Sequence, residues 1–169
     1  MSPRVVLVGP PGSGKTAVGR LVAEHLGVDF RDTDSDIEAS AGKSVSDIFI
    51  EDGEPHFRQL ELEAVTRAVS EHAGVLALGG GAVANPVVRE RLSGHRVVFL
   101  DVGLASASER VGFARSRPLL VLNPRAELKR LLAERRPHYE SVATAIVMTD
   151  DRDPDEVAKD VEALLEASP

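Results

Sequence analysis

The stretch Gly9-Pro10-Pro11-Gly12-Ser13-Gly14-Lys15-Thr16 satisfies G-x-x-x-x-G-K-[ST] at every fixed position. Ahead of it, Arg4-Val5-Val6-Leu7-Val8 is a β-branched apolar run that reads as a buried strand. Behind it, Val18, Leu21, Val22 and Leu26 recur at helical spacing, and Gly27 supplies the stop. Strand, glycine loop and helix follow one another as a phosphate-binding loop requires. The glycines let backbone N–H groups point inward with no Cβ in the way of an anion. The helix start adds unpaired N–H groups and the positive end of its dipole. Lys15 is placed for the β- and γ-phosphates of a nucleotide, and the Thr16 hydroxyl for Mg²⁺.

Downstream, short apolar runs alternate with helical patterns. Phe30 opens a segment ending in Asp32-Thr33-Asp34, where a parallel sheet would carry ligands at its carboxyl edge. On an extended backbone the two aspartates point the same way, toward metal-bound water and a second substrate. Alternatively Asp34 or Ser35 caps a helix over residues 36–40. Ser44 caps a short amphipathic helix through Ile50, and Glu54-Pro55 opens a long one to about Glu71. Arg58 near that helix start opposes the dipole, as site residues and solvated surface arginines both do. Gly74–Leu78 reads as a strand running into Gly79-Gly80-Gly81, a triplet suited to close approach of a ligand. Residues 86–92 read as a helix, 96–100 as a strand and 103–110 as a small-residue helix. The basic segment 111–120 fits a mobile cover bringing arginine over phosphates. Pro124 opens a helix reaching Tyr139, Ala145–Met148 is the last strand, and Asp153-Pro154 opens the closing helix. The pattern predicts an α/β fold, a central five-stranded parallel sheet with helices on both faces, as a single domain over residues 1–169.

The totals exclude other classes. Of 169 residues none is cysteine, so there is neither a disulfide framework nor a thiolate metal site. The five histidines lack zinc spacing and are expected at the surface or at helix ends. A net charge of −7 argues against nucleic-acid binding. No apolar run has signal-peptide form or spanning length, so a cytoplasmic protein without membrane attachment is expected. The only asparagines, Asn85 and Asn123, precede proline, so the guanine-reading Asn-Lys-x-Asp is missing. The transporter-ATPase run Leu-Ser-Gly-Gly-Gln is missing too. A small-molecule kinase remains.

From these residues outward the chain resembles the shikimate kinase family along nearly its whole length. The resemblance rests on Gly12–Thr16, Asp32-Thr33-Asp34 with Ile37-Glu38, Ile48-Phe49, Gly53-Glu54, Phe57-Arg58, Glu61, Gly79-Gly80-Gly81-Ala82, Arg117-Pro118-Leu119-Leu120, and Arg135 with Pro137 and Tyr139. It implies a nucleoside-monophosphate-kinase-like fold with a lid at about residues 112–123 and an acceptor region at about 33–61. It implies ATP and shikimate as substrates, ADP as product, Mg²⁺ as cofactor and a monomer. Gly12, Ser13, Gly14, Lys15, Thr16 and Ala17 would bind ATP, with Arg110 and Arg152 flanking the adenine. Thr16 would ligate Mg²⁺ directly and Asp32 through water. Asp34 would bind shikimate hydroxyls and position the attacking oxygen. Arg58 and Arg135 would clamp the carboxylate, with Glu61 and the glycine triplet beside the ring. Val45, Phe49, Phe57, Pro118 and Leu119 would wall the pocket, and Arg117 would reach the transferring phosphoryl group. Arg136 competes with Arg135 for the second clamp, and Arg115 with Arg117 for the lid. Two rivals stand beside this reading. One is a gluconate or nucleoside monophosphate kinase of the same fold. The other is a nucleotide-binding module without catalysis.

Overall fold

Five short strands pair in parallel in the order β2-β3-β1-β4-β5. They are β1 Val5–Val8, β2 Phe30–Asp32, β3 Val75–Ala77, β4 Val97–Asp101 and β5 Ala145–Met148. The computed structural model describes residues 1–111 and 124–167. The expected lid, with Arg115, Arg117, Pro118 and Leu119, lies outside the described residues.

The strands form because β1, β3 and β4 are apolar runs that bury both faces, as a parallel sheet demands. One face packs Val5, Leu7, Val75 and Val98 against α1 (Lys15–Leu26) and α8 (Pro154–Ala167). The other packs Val6, Leu76, Val97 and Phe99 against α4 (Glu54–Glu71), α5 (Pro86–Arg91) and α7 (Pro124–Val142). Helices therefore cover both faces, as the strand–helix alternation predicts. α6 (Leu104–Val111) packs on α7 through Val102, Ala107, Leu128 and Leu131.

α2 (Thr33–Ala41), α3 (Val45–Asp52) and α4 share a separate small core of Ile37, Ile48, Phe57 and Ala64. This satellite core holds three helices over the carboxyl ends of β2 and β3. Ser44 caps α3 by accepting the Asp47 N–H, as its position suggests.

Two expectations are corrected. The helix after β2 starts at Thr33, not Asp36, and its cap is Asp32, whose side chain accepts the Asp34 N–H at 2.9 Å. Asp34 therefore sits in a first helical turn, not on extended backbone. α7 continues past Tyr139 to Val142 with Pro137 inside it, at the loss of one i→i−4 hydrogen bond. No described helix is long and apolar enough to cross a membrane.

Candidate active site

The loop between β1 and α1 turns at Gly12 and Gly14, whose φ of 82° and 89° are left-handed values that β-carbons disfavour. Lys15 Nζ folds back onto its own loop, donating to Gly9 O at 2.8 Å and Pro10 O at 3.1 Å. That is the cradle a phosphate chain would enter. Thr16 Oγ1 donates to Asp32 Oδ2 at 3.4 Å. A hydroxyl and one carboxylate, with room for phosphate oxygens and water, is the donor set Mg²⁺ takes in nucleotide sites. Among the described residues no cluster of three acidic or histidine ligands competes with it. Loop, Thr16, Asp32 and Asp34 line one cleft of about 330 Å³, whose far wall is Leu78, Gly79 and Gly80.

The glycine triplet is where the site's elements meet. A methyl group added at Gly79 would lie 2.6 Å from Asp34 Oδ1 and 3.0 Å from Glu61 Oε2. One added at Gly80 would lie 3.1 Å from Pro11 Cδ, in the phosphate loop. One added at Gly81 would lie 2.7 Å from both terminal nitrogens of Arg58 and 2.9 Å from Arg135 Nη2. None of these three glycines has a positive φ. Their requirement is space, since a methyl at any of them would press on the converging side chains or the phosphate loop and make them shift. Thr33 adds a link that its position between two aspartates obscured: it is fully buried, and its Oγ1 accepts the Gly79 N–H. Tyr139 donates its phenol hydrogen to Gly80 O from α7 and stacks on Phe99 at 5.0 Å.

The two arginines arrive from different helices. Arg58 lies over the rings of Phe57 and Phe49, 5.2 and 5.8 Å from their centroids, and donates to Glu61 Oε1 at 2.8 Å. Phe57 and Phe49 are themselves in contact at 4.7 Å, and Val45 joins their core, so three expected wall residues do stand together. Burial is the main cause that pushes the Glu61 carboxyl up to about 7, against the pull of Arg58. Burial likewise lowers Arg135, with Tyr139 opposing and Arg58 adding to the fall. Two guanidiniums brought together in a half-dry place form a fork for a carboxylate.

The competition between Arg135 and Arg136 has a geometric answer. Arg136 is bound to Asp101 through two bonds of 2.8 and 2.7 Å, while Arg135 faces Gly81. Arg152 stands apart from the cleft lining just described. It pairs with Asp160 at 2.9 Å and donates to Met148 O. Arg110 lies in α6, and its side chain is outside the described residues.

The family model for shikimate kinase matches residues 11–166. The chain belongs to the shikimate kinase family. A shikimate kinase of Salinispora arenicola is 59% identical over 99% of this chain and all of its own. The structure of shikimate kinase from Acinetobacter baumannii in complex with shikimate matches with a TM-score of 0.94 at 37% identity, covering 99% of this chain and 94% of that one. A gluconokinase from Sinorhizobium meliloti matches at 21% identity with a TM-score of 0.60, covering 96% of this chain and 91% of that one, a likeness of fold alone.

Proposed function

We propose that this chain transfers the γ-phosphoryl group of ATP to the 3-hydroxyl of shikimate, giving shikimate 3-phosphate and ADP. The observation that carries the reading is the meeting of Arg58 and Arg135 beside Gly81, across the triplet from the phosphate loop. A ring acid whose carboxylate sits between those guanidiniums directs its hydroxyls along the triplet toward Asp34 and the loop.

Phosphoryl transfer passes through a loose transition state, so positioning and charge neutralisation are the enzyme's main tasks. Lys15 leaves its own loop carbonyls to take β/γ-phosphate oxygens. Thr16 directly and Asp32 through water would hold Mg²⁺, which would supply positive charge to the phosphates when bound. Asp34 accepts a hydrogen bond from the attacking hydroxyl and orients its lone pair. Glu61 holds the Arg58 fork. Arg117, Pro118 and Leu119, in a lid at about residues 112–123, would bring a further cation and exclude water, with Arg110 and Arg152 beside the adenine. The enzyme would act as a monomer in the cytoplasm.

The test is ADP release with Mg-ATP and a panel of shikimate, gluconate and a nucleoside monophosphate. Turnover with shikimate at least about a hundredfold above the others is expected. The other acceptors also carry anionic and hydroxyl groups, but in arrangements that would leave Arg58, Arg135 or Asp34 unpaired, and unpaired buried polar groups are what discriminate. Equal or greater turnover with another acceptor overturns the reading, and nucleotide binding without ADP release favours a non-catalytic module.

A further inference from the structure

Arg135 occupies an awkward position. Burial weighs most against its charge and the nearby Arg58 adds to the cost, while Tyr139 and Glu61 pull the other way. Some feature of α7 must keep it there. The neighbouring residue provides one. Asp101, the last residue of β4, is only 5% exposed. Both its carboxylate oxygens accept from Arg136, at 2.8 and 2.7 Å. The guanidinium also lies 5.4 Å from the Phe99 centroid, and Arg136 Nε is 3.4 Å from Glu140 on its own helix. The backbone of Asp101 is itself fixed, since Thr149 donates both its N–H and its hydroxyl to Asp101 O.

We propose that the Asp101–Arg136 pair is a positioning device that sets the rotation of α7 so that Arg135 faces the acceptor carboxylate. This rests on the proposed function. Consecutive helical residues differ by about 100° around the axis, so fixing one fixes where the next points. A two-bond fork constrains orientation as well as distance, which a lysine or a single bond does not. Arg136 is 48% exposed while Asp101 is buried, so removing Arg136 also costs stability, and the geometric consequence is read from substrate binding rather than from the melting temperature. It also sorts the two adjacent arginines: Asp101 engages Arg136, leaving Arg135 for substrate. Tyr139, one turn on from Arg135, donates to Gly80 O and holds the same face of α7 against the triplet.

The test compares Asp101→Asn, Arg136→Met and Arg136→Lys, with the double variant Asp101→Asn/Arg136→Met. Steady-state KM for shikimate and for ATP, shikimate affinity by calorimetry, and thermal midpoints are measured on each. Each single change is expected to weaken shikimate about five- to tenfold while ATP KM stays within about twofold. That is the range of losing one oriented charged contact at a distance. Arg136→Lys, which keeps charge and fold, is expected to resemble Arg136→Met. The double variant is expected to be no worse than either single. A lowered midpoint with unchanged shikimate KM would reduce the pair to a structural contact, as would rescue by lysine or additive losses. Should the wild-type protein prefer another acceptor, the functional reading fails on its own, and the same variants are scored on that acceptor.

Discussion

Arg58 and Glu61 form a unit in which each residue's cost is met by the other. Arg58→Ala removes one arm of the carboxylate fork and leaves Glu61, 2% exposed, without its 2.8 Å donor. Shikimate KM should rise about tenfold or more with ATP KM little changed, from losing a charge-assisted contact. Steady-state kinetics check this, and an unaltered shikimate KM would remove Arg58 from the clamp. Asp34→Asn keeps size but loses charge against the acceptor hydroxyl. A fall in kcat of about a hundredfold with ATP KM held is expected for a group that positions or accepts that proton. The pH dependence of stability follows from Glu61. Its carboxyl rises from an ordinary 4.5 to about 7, chiefly through burial. The folded chain therefore holds that proton more tightly than the unfolded one. This contribution is fully present below pH 4.5 and is lost as pH rises through about 7. Glu61→Gln should flatten the decline in melting temperature across that window, and parallel profiles for the two proteins would refute the assignment. The phosphate loop was legible at this scale because fixed spacing and residue type encode it, whereas Arg58 and Arg135 stood out only through the family resemblance, since an arginine near a helix start reads equally as a surface residue. Thr33 and Asp101 were not, because their roles depend on partners 46 and 35 positions away.

At the scale of elements, the triplet after β3 is the joint between phosphate loop, α2, α4 and α7. A run of glycines in sequence announces a close approach but not what approaches. Gly81→Ala is the discriminating change. The new methyl would press on the ends of Arg58 and Arg135, flexible side chains that can yield, so the fold should survive. Shikimate KM should rise about tenfold while the melting temperature moves by only a few degrees. A normal KM would show that the fork does not depend on that space. The junction of β2 and α2 taught a similar lesson. The Asp32-Thr33-Asp34 triad carries the same residues whether strand or helix continues through it. Asp32 decided in favour of helix by capping it, and so turned Asp34 into the cleft from a helical first turn. α7 overran its expected end because Val142, past that end, packs against the core on the same face of the sheet, while Arg136 and Tyr139 hold the helix on either side of Pro137.

Across the whole molecule, the sheet order places both anion sites at one carboxyl edge. β1 brings the phosphate loop, its neighbour β3 brings the triplet, β2 beyond it brings the aspartates, and β4 on the other side brings Asp101. That order was not written in any local pattern, although strand–helix alternation made the parallel sheet itself predictable. Its consequence, on the proposed function, is that the nucleotide tail and the ring acid would meet face to face along one sheet edge. The most direct test is the identity of the product. The purified protein is incubated with Mg-ATP and shikimate, and the phosphorylated acid is resolved by phosphorus-31 and proton NMR. Phosphorus coupling to the proton on the carbon bearing the 3-hydroxyl, with one ADP formed per ester, is the expected result. A phosphate ester at a different hydroxyl, or ADP accompanied only by inorganic phosphate, would contradict it.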